Sequence, residues 1–173
     1  LRGFLGIENL EGVRILNRYD VEGIDPAVYE RARHVVFSEP QVDVTWDETF
    51  PQPRNLHTLL AVEALPGQFD QRADSAAQCI QLMAGVERPL VAHARVYLLE
   101  GKLSGEDVER IKGYLINPVE SREASMEKPA TLARSHEQPP MVETLTGFTG
   151  LDGAGLAALL ERLGLAMDAD DLA

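Results

Sequence analysis

The sequence predicts an α+β fold. Segments with the two-residue alternation of strands are separated by segments with the helical period. Gly and Pro punctuate the joints between them. The order strand, Gly turn, capped helix, Pro stop also occurs twice, 78 positions apart. The 173 residues are 45% apolar and 25% charged, an ordinary balance for a chain that can bury one good core.

Leu1–Ile7 reads as a helical turn. Residues 13–22 (VRILNRYDVE) alternate as a strand, with Val13, Ile15 and Val21 apolar, and Gly23 ends it. Asp25-Pro26 offers an N-cap followed by proline at the first helical position. A helix then runs to about Phe37, with Val28, Ala32, Val35 and Val36 on one face. Pro40 stops it, Val42, Val44 and Trp46 alternate as a second strand, and PQPRNL at 51–56 is a connector.

The second half repeats the plan. Leu59–Leu65 is a strand closed by Pro66-Gly67. Asp70–Ala84 is a helix whose Ala73, Ala76, Ala77, Ile80 and Met83 form a buried stripe. LVAHARVYLL at 90–99 is a strand ended by Glu100-Gly101. Ser104 caps a helix to about Ile116, with Asp107 completing a capping box, and Pro118 stops it. At the interval of 78, Tyr19 meets Tyr97, Glu22-Gly23 meets Glu100-Gly101, and Pro40 meets Pro118. Two similar small α/β units pairing antiparallel sheets are therefore expected, followed by a short helical appendage. The organisation is a duplicated domain at 1–127, a proline-bearing linker at 128–148 and the start of a helical domain at 149–173. In that last part Leu156, Leu159, Leu160 and Leu163 mark one helix, capped by Asp152 and ended by Gly164, and Asp168 caps another. Both ends lie inside helical patterns and read as cuts from a longer polypeptide.

The formal charge of −12 would repel a nucleic-acid backbone and an anionic membrane surface. No run approaches the roughly 18 apolar residues of a membrane span, and no signal peptide is legible, so the expected location is the cytoplasm. A single cysteine excludes an internal disulfide, and its place beside Ala76 and Ile80 suggests that Cys79 is buried. His34, His57, His93 and His136 lack metal-ligand spacing, and His34 and His93 are expected on helix or strand surfaces. GAGLAA at 153–158 matches a dinucleotide fingerprint only by residue type, because no strand precedes it. Glu120, Glu123 and Glu127, with Arg122 and Lys128, read as a solvated charged edge.

The candidate functional stretch is LPGQFDQRADSAAQC at 65–79. It gathers Gln68, Asp70, Arg72, Asp74, Ser75 and Gln78 around one helix start, where a single capping side chain suffices. The helix N-terminus and Arg72 suit an anion, whereas Asp70 and Asp74 suit caps or partners for basic groups elsewhere. Three readings stay open: a docking surface for another domain, one wall of a substrate pocket, and a plain capped helix.

This stretch, together with NPVESREAS (117–125), RILNRYDVEGI (14–24), VFSEPQVD (36–43) and LERLGLAMDADDL (160–172), resembles the N-terminal region of phosphoribosylformylglycinamidine synthase in its long single-chain bacterial form. The resemblance implies two copies of a unit like the small S subunit of the multi-component enzyme, a pseudo-dimer whose first copy lacks its opening strand and helix. It implies a parent ligase that makes an amidine of formylglycinamide ribonucleotide with ATP, Mg²⁺ and ammonia from glutamine. In the family the ATP and metal ligands belong to a synthetase core and the Cys-His-Glu triad to a glutaminase domain. This chain would bind no cofactor, carry no catalytic residue and act as a scaffold whose partners are those two domains, or a second copy of itself. An alternative is a regulatory module that holds a small effector between its two α+β units.

Overall fold

The computed structural model describes residues 1–133, 142 and 144–172. It divides into two compact units, Leu1–Arg134 and Ser135–Ala173. His136, Pro139 and Pro140 of the expected linker lie outside the described residues.

The first unit is α+β. Its elements are α1 (Arg2–Leu5), β1 (Gly12–Glu22), α2 (Pro26–Val35), β2 (His57–Ala64), α3 (Gln71–Ala84), β3 (Leu90–Glu100), α4 (Gly105–Leu115) and β4 (Ser121–Ala124). The strands form one antiparallel sheet in the order β1-β3-β2-β4. The helix starts follow local chemistry. Asp25 accepts from the Ala27 and Val28 N–H groups, Asp70 from Arg72 and Ala73, and Ser104 with Asp107 closes a reciprocal box.

Two apolar clusters fill the space between helices and sheet. Ile7, Leu10, Leu60, Tyr97, Leu99 and Ile111 form one, and Val28, Ala32 and Ile80 with half-buried Val91 form the other. The largest fully buried side chains, such as Ile80, Leu99 and Ile111, each contribute about 1.5–3 kcal/mol by burial. A third cluster, Ala61, Ala94, Val96 and Ala124, joins β2, β3 and β4.

The offset between the paired strands β1 and β3 equals the interval of the sequence repeat. At the interval of 78 residues, Gly12–Glu22 coincides with Leu90–Glu100, so β1 is the counterpart of β3. Those two strands pair with each other, and the central pair of their ladder is Asn17 with Arg95. The ladder therefore maps onto itself when the halves are exchanged. The helices run at 79 rather than 78, because the turn Gly101–Ser104 is one residue longer than Gly23–Asp25.

Four expectations are corrected. The halves do not carry separate sheets, because only β1 of the first half enters the single sheet. Residues 42–46 form no strand, and Val42 and Val44 are 74% and 69% exposed. Their counterpart β4 is a strand by virtue of pairing with β2, and among the described residues 43–46 has no such partner. Helix α2 ends at Val35, which is exposed rather than on the buried face. Cys79 is exposed, one position round the helix from the Ala76–Ile80 stripe.

The second unit carries a 3₁₀ turn, Phe148–Gly150, and the helices α5 (Gly153–Leu163) and α6 (Ala169–Leu172). Asp152 accepts from the Gly155 N–H at 2.9 Å, Gly164 ends α5 in the left-handed region, and Asp168 caps α6. The GAGLAA stretch is thus the first turns of a capped helix. Among the described residues no helix is long and apolar enough to cross a membrane.

Candidate functional site

The polar stretch that follows β2 lies at the end of the sheet. Pro66-Gly67 turns the chain, with Gly67 at a φ of 89°, and the Gln68 N–H closes the turn on the Leu65 carbonyl at 3.0 Å. The segment is then tied to the turn after α4. The Leu65 N–H donates to the Glu120 carbonyl at 2.9 Å, and the Gln68 side-chain amide donates to the Val119 carbonyl at 3.2 Å. So the two sequence blocks 65–79 and 117–125, distant in the chain, make one continuous ridge.

The six predicted residues divide into two groups. Gln68, Asp70 and Asp74 are engaged within the unit. Asp70 Oδ1 accepts from the Arg72 and Ala73 N–H groups at 3.0 and 3.1 Å. Asp74 is held by the Arg88 guanidinium, which also donates to the Asp74 carbonyl at 3.2 Å. Arg72, Ser75 and Gln78 are exposed on the outer side of α3. The crowding of polar groups therefore has an internal cause for three of the six, and Asp74 takes its basic partner from its own unit.

A histidine completes the arrangement. His93 was expected on a surface, but its side chain is only 9% exposed. Its Nε2–H donates to Asn17 Oδ1 at 3.2 Å, its Nδ1 lies 3.8 Å from Asp70 Oδ2, and Tyr19 packs against its ring. Burial pushes its pKa below the ordinary imidazole value, Asp70 opposes that shift, and Arg72 and Arg95 add to it. His93 is thus a neutral imidazole locked between β1 and the start of α3. The sequence carried no signal for this, because the neighbours Asn17 and Asp70 come from other elements.

Gln68, Asp70, Asp74 and His93, with Arg88 and Arg122, line an open groove of about 660 Å³ along the ends of β1, β2 and β3. Its charges are largely paired with one another. Arg122 meets Glu63 at 2.7 Å, and Arg18 Nε lies 3.1 Å from Asp20. The Arg18 Nε–H is off the hydrogen-bond axis and is buried without an acceptor, while its NH1 donates to the Ser125 carbonyl at 2.6 Å. Glu120 and Glu127 are exposed, and Glu123 accepts from Lys112 Nζ at 2.9 Å. The expected charged edge is therefore partly a tie between α4 and β4. Among the described residues there is no group of three His, Cys, Asp or Glu side chains that could hold a metal.

No protein-family model matches the chain, and a search of curated proteins finds no match. His93, half-buried beside the ridge, donates its Nε2–H to Asn17, and its Nδ1 faces the Asp70 carboxylate.

Proposed function

We propose that this chain is a non-catalytic scaffold of an amidoligase resembling phosphoribosylformylglycinamidine synthase, with the ridge at 65–79 and 117–125 as its docking surface for the synthetase core. The observation that carries the reading is the ridge itself. Gln68, Asp70 and Asp74 are engaged by caps and ties, while Arg72, Ser75 and Gln78 are exposed on one helix. That arrangement suits a rigid contact surface better than a closed pocket. The self-symmetric β1–β3 ladder supports the duplicated, S-subunit-like organisation that the resemblance implies. Such a scaffold serves catalysis by position: it seals domain joints so that ammonia stays out of water. On this reading the enzyme is a cytoplasmic ligase, and ATP and Mg²⁺ are held by its other domains.

The test is Arg72→Ala in the full-length amidoligase. If Arg72 docks the core, kcat falls through misplaced domains while the Michaelis constant for the ribonucleotide holds. A rise confined to that constant would make the ridge a pocket wall instead. The isolated chain, given formylglycinamide ribonucleotide, ATP, Mg²⁺ and ammonia, should form no amidine above a heat-denatured control. Turnover there would end the scaffold reading, and tight nucleotide binding by the isolated chain would favour an effector module.

A further inference from the structure

His93 and Asp70 meet in the groove, and each turns a lone pair toward the other. His93 donates its Nε2–H to Asn17 Oδ1 at 3.2 Å, so the Nδ1 of the neutral ring is an acceptor. Asp70 spends Oδ1 on the Arg72 and Ala73 N–H groups, and its Oδ2 lies 3.8 Å from His93 Nδ1. Among the described residues neither Nδ1 nor Oδ2 receives a hydrogen bond. The two side chains are 9% and 23% exposed, so these acceptors face each other largely away from water. An acceptor withdrawn from water without a donor is costly. At this spacing a single donor nitrogen fits within hydrogen-bond distance of both.

The charges of the groove favour a cationic donor over water. Six carboxylates line it: Asp20, Glu63, Asp70, Asp74, Glu123 and Glu127. Four of them meet a base. Arg18 pairs with Asp20, Arg122 with Glu63, Arg88 with Asp74, and Lys112 with Glu123. Asp70 and Glu127 have no Lys or Arg partner among the described residues, and Lys128, next to Glu127, is taken by Glu48. Two negative charges are therefore left over. The wall on the α3 side is apolar, with Ala73, Ala77 and Val91. Phe69, next to Asp70 in the chain, lines the groove as well and is 75% exposed. Small side chains leave room for a methylene stem, and an exposed ring beside a carboxylate suits a cation.

We infer that the groove is a binding site for a primary alkylammonium group, whose nitrogen donates to His93 Nδ1 and Asp70 Oδ2 while its methylene stem lies along Ala73, Ala77 and Val91. The chemistry is that of a free aliphatic amine or of a lysine side chain presented by another protein. The site does not depend on the amidoligase reading. Amine and proton compete at His93, because a protonated ring would itself donate from Nδ1 to Asp70. The other groups around the ring are Asn17 and Tyr19 of β1, Arg72 of α3 and Arg95 of its own strand. Burial, with Arg72 and Arg95, holds the imidazole neutral against the pull of Asp70, so the acceptor pair is open near neutral pH.

Nuclear magnetic resonance of the imidazole nitrogens tests the site, with the His93 signals assigned from His93→Gln. Spermidine and Nα-acetyl-lysine amide are each titrated onto the chain at about pH 7.5. The His93 Nδ1 resonance should move saturably, and the uncharged Nε-acetylated lysine amide should leave it still. Saturating amine should also lower the midpoint of the His93 titration by at least about half a pH unit, because binding and protonation exclude each other. Tighter binding of spermidine assigns the site to free amines, and tighter binding of the lysine amide assigns it to a protein segment. Asp70→Asn keeps a capping oxygen for α3 and should weaken binding at least tenfold at an unchanged melting temperature. Because a cap variant could still loosen the helix, Glu127→Gln, at an exposed residue, is the second variant and should weaken binding at least twofold. An Nδ1 resonance unmoved by both amines would overturn the proposal. So would undiminished binding in Asp70→Asn, since only diffuse attraction to an acidic surface would then remain.

Discussion

Asn17 and Arg95 are Cα partners at the midpoint of the β1–β3 ladder, and they are also counterparts of each other in the 78-residue repeat. Exchange of the halves therefore leaves the pair in place. The exchange also relates two turns. The carbonyl of Asn9, before β1, crosses Gly101 after β3, and Pro89, before β3, lies against Gly23 after β1.

The two glycines differ in tightness, which makes a comparison informative. A Cβ on Gly101 would stand 2.0 Å from the Asn9 carbonyl oxygen, at a φ of +126°. On Gly23 the nearest atom is at 3.9 Å, at a φ of +90°. Gly101→Ala should cost at least about 3 kcal/mol, from strain plus a backbone clash. Gly23→Ala should cost about 1–2 kcal/mol, from strain alone. Urea melts of the two variants check the ranking, and equal losses would contradict the turn geometry.

Ala77 lies on the buried stripe of α3 and is 4% exposed, whereas Gln81 on the same helix is exposed. Ala77→Asp should destabilise the chain by several kcal/mol, because an unpaired carboxylate would face the sheet. Gln81→Asp should change stability by less than about 0.5 kcal/mol. Chemical denaturation followed by circular dichroism measures both.

The buried His93 makes folding pH-dependent. Its folded pKa lies below the ordinary value of about 6.5, so near neutral pH both states are uncharged there. As pH falls below about 6.5 the unfolded chain takes up the proton first, and stability drops until the folded-state pKa is passed. Melts at about pH 7.5 and about pH 5.5 should show that loss. His93→Asn should flatten the dependence in this window, and an unaltered slope in the variant would move its origin elsewhere.

Tyr29 provides the alkaline counterpart. Burial, together with the hydrogen bond it donates to Asp47, raises its pKa to about 12. The stabilisation from its protonated phenol is complete below about 10 and is lost as pH rises through about 12. Spectrophotometric titration of the four tyrosines should show one late phase, absent from Tyr29→Phe. That variant should also lose about 1 kcal/mol, since the bond joins α2 to the 43–47 segment.

How much was legible in the chain depends on range. The caps at Asp25, Asp70, Ser104 and Asp152, the Gly and Pro stops, and the apolar stripe of α3 are properties of a few neighbouring residues. The sequence alone determined them, and with them the α+β class, because a capping oxygen or a helical period needs no distant partner. Tertiary structure decided the rest. Residues 42–46 alternate as a strand does, yet form none, since a strand exists only against another strand's edge. The sequence left Gln68, Asp70 and Asp74 open between caps and contacts with another domain; only the fold shows that Val119, the α3 amides and Arg88 are within bonding distance of them. His93 is buried because β1 and the start of α3 meet over it, 76 and 23 residues away along the chain. Short-range chemistry wrote the elements; which groups are spent inside the unit and which face out was settled only when long-range pairing set the sheet.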